Sequence, residues 1–150
     1  MSALKETLNR ATKEAMKARD KDRVATLRMV KAELKRIEVD ERRDLSDEDV
    51  FAVLNKMLKQ RKDAMAQFQD AKREDLAAVE AYEIGVIEAF LPAQMDSDEL
   101  QKFVAALVTK SGAQGMQDMG KVMGLLKSEG QGRVDMGKAS ALVKAQLASL

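Results

Sequence analysis

The sequence predicts an all-α protein in two parts: an N-terminal helical hairpin or bundle with two long helices, then a small C-terminal three-helix domain. Three observations predict it. Apolar residues recur three or four apart through segment after segment, and no stretch alternates with period two. Charge is uneven, with 38 of the 51 charged side chains lying before Pro92, the only proline. Glycine is uneven in the opposite sense, with Gly85 alone before that proline and the other seven after it. The parts are therefore 1–91 and 92–150.

The elements follow in order. Leu4, Leu8, Ala11 and Ala15 recur at helical spacing, and Asp20-Lys21-Asp22 reads as a turn. Val24, Leu27, Val30, Leu34 and Ile37 form the apolar stripe of a second helix. Leu45-Ser46-Asp47-Glu48-Asp49-Val50 reads as a helix start: Ser46 caps, acids fill the first turn, and Leu45 staples onto Val50. That helix is expected to run to about Lys72, some 40 Å at 1.5 Å per residue, and needs a long partner. Asp75 to Leu91 supplies one through Leu76, Val79, Tyr82, Val86, Ile87 and Phe90. Pro92 stops it, because a proline in a helix interior costs about 3 kcal/mol. A new start follows in which Asp96 caps, Glu99 bonds back and Met95 staples onto Leu100. The helix expected there spans Ser97 to Lys110, and two short ones follow at about Met116–Lys127 and Val134–Leu147.

Composition excludes much chemistry. Cysteine and histidine are both absent, so there is no thiolate nucleophile, disulfide, Cys/His metal site or imidazole base. Tryptophan is absent too, so Leu, Val, Ile, Met and Ala must build the core. No cofactor, metal or membrane span is expected, since no run approaches the ~20 apolar residues a span needs. Met1-Ser2-Ala3-Leu4-Lys5-Glu6 shows no signal-peptide core, and a soluble cytoplasmic monomer is the default expectation. Net charge is +1; from Lys110 onward six basic residues face three acidic ones, a modest excess for a nucleic-acid binder.

Several motifs carry chemistry on paper. Gly132-Arg133-Val134-Asp135-Met136-Gly137-Lys138 has both glycines and the lysine of a phosphate-binding loop, but Ala139 stands where Ser or Thr would ligate magnesium. Without a preceding strand, coincidence is the better reading. Gly120 and Gly124 share one helix face and cost about 1 kcal/mol each relative to alanine. Close helix–helix approach is the simpler explanation; a bare backbone admitting an RNA sugar-phosphate, with Lys121 and Lys127 beside it, is the sharper one. Met116, Met119, Met123 and Met136 read as core filling. Arg28, Lys31 and Lys35, like Lys56, Lys59, Arg61 and Lys62, read as solvated faces, and the Glu80/Glu83 pair as wetted helix surface without a shifted pKa.

Leu58-Lys59-Gln60-Arg61-Lys62-Asp63-Ala64 and the run from Glu83-Ile84-Gly85-Val86-Ile87-Glu88 through Phe90-Leu91-Pro92-Ala93-Gln94-Met95 resemble the GatB/YqeY family, in particular its free-standing YqeY-like proteins. Asp118–Gly124, Gly132 and the Val143-Lys144-Ala145-Gln146-Leu147 ending agree, so the resemblance covers essentially the whole chain. It implies a two-part helical fold and kinship with the C-terminal tail of the B subunit of the tRNA-dependent amidotransferase, where that tail serves tRNA recognition. It also implies the family's usual label, a carbon–nitrogen ligase with glutamine as amido-N-donor. The residues offer no catalytic constellation for that label: there is no cysteine, and no Gly/Ser-rich core that would hold a Ser–Ser–Lys amidase centre.

The expected function is thus a tRNA-binding or tRNA-enzyme-associated accessory module, its partner a tRNA or a tRNA-charging or amidating enzyme. The RNA-binding candidates are Gly120, Lys121, Gly124, Lys127, Arg133, Lys138 and Lys144. A protein–protein adaptor and an amide-transferring ligase are the alternatives.

Overall fold

The structure is a computed structural model that describes residues 2–150. The described residues form seven α-helices and no strand: α1 (Ala3–Lys17), α2 (Lys21–Glu41), α3 (Asp47–Asp70), α4 (Glu74–Glu88), α5 (Ser97–Ser111), α6 (Met119–Gly130) and α7 (Met136–Ala148). A 3₁₀ turn at Met116–Asp118 leads into α6. The chain divides into two compact units, Met1–Leu91 and Pro92–Leu150.

In the first unit α3 packs along α4, α1 packs on α2, and both α1 and α2 touch α3. The core is aliphatic: Leu8, Leu27, Val30, Leu34, Leu45, Val50, Leu54 and Ile87 are all at least 97% covered. Helix starts follow local chemistry. Ser46 accepts from the Asp49 amide while Asp49 accepts from the Ser46 amide, a reciprocal cap at the start of α3. Helix ends do not rely on glycine. Arg19, Arg42 and Lys72, each just beyond a helix, adopt left-handed backbone with φ of 58°, 53° and 57°. α3 stops at Asp70, two residues before the expected Lys72.

In the second unit α5, α6 and α7 contact one another around Leu100, Val104, Leu107, Val122, Leu126, Val134, Ala139, Val143 and Leu147. Asp96 caps α5 by accepting from the Glu99 amide. The expected return bond from Glu99 is replaced, because its carboxylate accepts from Arg133 at 3.0 Å. Met119, Met123 and Met136 pack on the core as expected, whereas Met116 is 47% exposed. The expected helix at Met116 begins instead as the 3₁₀ turn, with α6 proper starting at Met119.

Candidate nucleic-acid interface

α6 presents a nearly bare outer face. Gly120, Lys121, Gly124, Lys127 and Ser128 are exposed, while Val122 and Leu126 point into the core. A Cβ added at Gly120 or Gly124 would meet nothing within 4 Å. This overturns the close-packing explanation for these glycines, because no neighbouring helix lies near enough to require them. The residue that does need to be glycine is Gly130: its Cβ would come within 2.8 Å of Val134 Cγ2.

The basic candidates fare differently. Lys121 on α6, and Lys138 and Lys144 on α7, are exposed, and their ammonium groups make no hydrogen bond or ion pair among the described residues. Lys127 lies exposed in the last turn of α6 and is not one of these free cations. Arg133 is a structural tie. Its Nε donates to the Ala93 carbonyl at 2.8 Å and its Nη2 to Glu99 at 3.0 Å. The Met95 amide donates to the Arg133 carbonyl, and Gln94 donates to that of Gly132. Four hydrogen bonds thus clip 93–99 onto the loop before α7.

The apparent phosphate-binding loop is occupied from within. Asp135 caps α7, accepting from the Gly137 amide at 2.9 Å and the Lys138 amide at 3.2 Å. A phosphate-binding loop would turn these donors toward its ligand. Here the protein's own carboxylate holds them.

The structure also brings together a cluster in the first unit that sequence reasoning left on the surface. Arg61 on α3 donates through Nε to Glu83 on α4 at 2.8 Å and through Nη1 to the Met57 carbonyl at 3.2 Å. Its Nη2 lies 3.2 Å from the Met29 sulfur of α2. The Arg61 and Glu83 side chains are only 12% and 19% exposed. Burial, reinforced by Glu83, raises the Glu80 carboxyl above its usual range. These glutamates are therefore not wetted surface. Both Arg61 and Glu83 lie in the two segments that carried the family resemblance, which was the one signal available for them.

Elsewhere, an open depression of about 670 Å³ is lined by Ser2, Ala3 and the acid-rich Asp44–Glu48 turn. Asp47 there is held below its ordinary range by the Ser2 hydroxyl and the Leu4 amide. Such a surface repels polyanions. Among the described residues no group of three or more His, Cys, Asp or Glu is arranged to hold a metal ion, and no helix is long and apolar enough to cross a membrane.

The fold and surface define a helical protein built around two aliphatic cores, with a lysine-bearing glycine face in its second unit. Its sequence from residue 5 to 147 matches the family model for YqeY-like protein, and the chain belongs to that family. It is 31% identical over 120 residues to "Altered inheritance of mitochondria protein 41, mitochondrial" of Vanderwaltozyma polyspora, across 75% of this chain and 64% of the yeast protein. The Kluyveromyces lactis protein of that name is 40% identical over 91 residues, 60% of this chain and 47% of its own length. The chain thus spans about half to two-thirds of these curated relatives. An uncharacterised Schizosaccharomyces pombe protein is 38% identical over 79 residues, covering 53% of this chain and 64% of that protein. Two of these names state a mitochondrial location, which overturns the cytoplasmic expectation. That expectation rested on the lack of a signal-peptide core, of a long apolar run and of cysteine, features that do not distinguish the two compartments.

Proposed function

We propose that this YqeY-like protein is an accessory module that binds tRNA, or a tRNA bound to its charging or amidating enzyme, without a catalytic centre of its own. The observation that carries the reading is the exposed glycine pair of α6. Two helix-interior glycines disfavour the helix by roughly 1 kcal/mol each, and nothing inside the unit needs them there. A partner backbone approaching α6 is what they serve. Lys121 lies on that helix with its ammonium free, and Lys138 and Lys144 on α7 add two more. Three lysines on helix surfaces suit shape-directed contact with phosphates rather than base readout. Arg133 stands outside the contact set because its guanidinium holds Ala93 and Glu99.

The test is tRNA binding by the full chain across a salt series. Log affinity should fall linearly with log salt, and Lys121→Glu should lower affinity and flatten the slope by about 1. Gly120→Ala with Gly124→Ala should weaken binding while raising the melting temperature. Binding that ignores salt, or survives both changes, overturns the reading. Glutamine-dependent amide transfer by the purified chain would favour the ligase instead.

An adaptor role is favoured by a different observation. α4 exposes Val79 to 53% and Tyr82 to 41%, with Ala78 and Gly85 exposed beside them. Recovery of one stoichiometric protein partner after nuclease treatment would support that role.

A further inference from the structure

α2 carries two stripes. Leu27, Val30, Leu34 and Ile37 face the core. The opposite face carries Ala25, Met29, Ala32, Arg36 and Val39, all exposed: Val39 to 62%, and Met29 to 38% with its sulfur against Arg61 of α3 at one edge of the face. Their spacing of four, three, four and three is that of a coiled-coil seam, with Met29 and Arg36 in one layer type and Ala25, Ala32 and Val39 in the other. At 3.6 residues per turn all five fall within about 40° of one line along the helix.

The flanks of this line have opposite charge. Arg28 and Lys35 precede Met29 and Arg36 on one side, and Glu33 and Asp40 follow Ala32 and Val39 on the other. In a parallel, in-register pair of helices, the residue before one seam position approaches the residue five later on the other copy. That brings Arg28 to Glu33 of the second copy and Lys35 to Asp40 of the second copy. An antiparallel pair would set the basic flanks against each other. We propose that the outer face of α2 is the seam of a parallel, two-fold symmetric dimer of this chain, departing from the monomer that the sequence suggested.

Arg36 fits the seam without facing its own copy. Its guanidinium is drawn to the acidic flank by Glu33 at 2.7 Å and Asp40 at 3.0 Å. Each carboxylate oxygen has a second lone pair for a cation from the other copy. A polar residue in one seam layer fixes register at some loss of stability, and two alanines thin the apolar contact further. The dimer is therefore concentration-dependent. A second copy is the occupant rather than an unrelated helix because α2 itself supplies both flanks at the five-residue offset that an in-register copy requires.

The chain has no cysteine, which makes single-cysteine crosslinking clean. Under mild oxidation Ala25→Cys and Val39→Cys should each give a disulfide-linked dimer, while Lys13→Cys on the exposed side of α1 stays at background. Linkage no faster than that of Lys13→Cys overturns the proposal. Linkage only when the Ala25→Cys and Val39→Cys proteins are mixed overturns the parallel arrangement. Sedimentation of the cysteine-free chain gives a second reading, with circular dichroism checking that each variant is folded. Glu33→Arg should shift it toward monomer, and adding Arg28→Glu should restore the dimer. Both variants carry the same change beside Arg36 within one chain, so a double variant no better than the single one also sinks the pairing.

Discussion

Arg61 ties three helices at one guanidinium, bonded to Glu83 and the Met57 carbonyl and resting on the Met29 sulfur. Removing it strands a largely covered carboxylate, so Arg61→Leu should cost about 3 kcal/mol in denaturant unfolding. Arg61→Leu with Glu83→Leu should recover much of that loss. Two other glutamates respond to pH with opposite sign. The Lys5 ammonium, bonded at 2.8 Å, lowers the Glu38 carboxyl from its ordinary 4.5. Its stabilisation is fully present above 4.5 and is lost as pH falls through the lowered folded value. Glu38→Gln should therefore destabilise at pH 7, and the gap to the parent should close in acid. Glu80 is raised from 4.5, so its contribution is present below that value and lost as pH rises through the folded one. Glu80→Gln should be the more stable protein at pH 7 and indistinguishable in strong acid, as thermal melts across pH would read. None of this was legible from local sequence. Arg61 and Glu83 are 22 positions apart, and burial is a property of the packed helices.

At the scale of elements, starts were easier to read than stops. Ser46, Asp96 and their acidic neighbours announce α3 and α5 because capping is a bond between residues three apart. The ends of α1, α2 and α3 carry no such mark, since Arg19, Arg42 and Lys72 take the left-handed turn where a glycine would have signalled it. Arg42→Gly should accordingly stabilise the fold by about 1 kcal/mol, because a left-handed side-chain residue costs roughly that much. The glycines of α6 were harder still. Spacing showed that Gly120 and Gly124 share a face but not whether that face looks inward, and the tight approach proved to lie at Gly130. Gly120→Ala and Gly124→Ala should each stabilise by about 1 kcal/mol, whereas Gly130→Ala should destabilise, all measurable by thermal melting.

At the scale of the whole molecule the helical class was plain from periodicity, and the all-helical structure bears it out. The aliphatic cores follow from a composition with no tryptophan and one tyrosine. Each unit owns a core, Leu27, Leu54 and Ile87 in the first and Val104, Leu126 and Val143 in the second. A fragment of residues 92–150 should therefore remain helical and melt cooperatively, since domains of about 60 residues can fold alone. Its amide spectrum should overlay on that of the same residues in the full chain; a collapsed, unfolded spectrum would refute the independence of the second unit. What composition could not supply was the state of each candidate cation. Lys121, Arg133 and Lys138 look alike as basic residues in a glycine-rich tail, and only the folded loop distinguishes a clip from a free ammonium.

The open space above Gly120 and Gly124 has a practical corollary. A library of this protein screened on heat resistance alone would enrich alanine at both positions early. Each round would look like progress while removing the two gaps in the side-chain cover of α6, so, on the function proposed above, thermal ranking and biological fitness should diverge first on this helix.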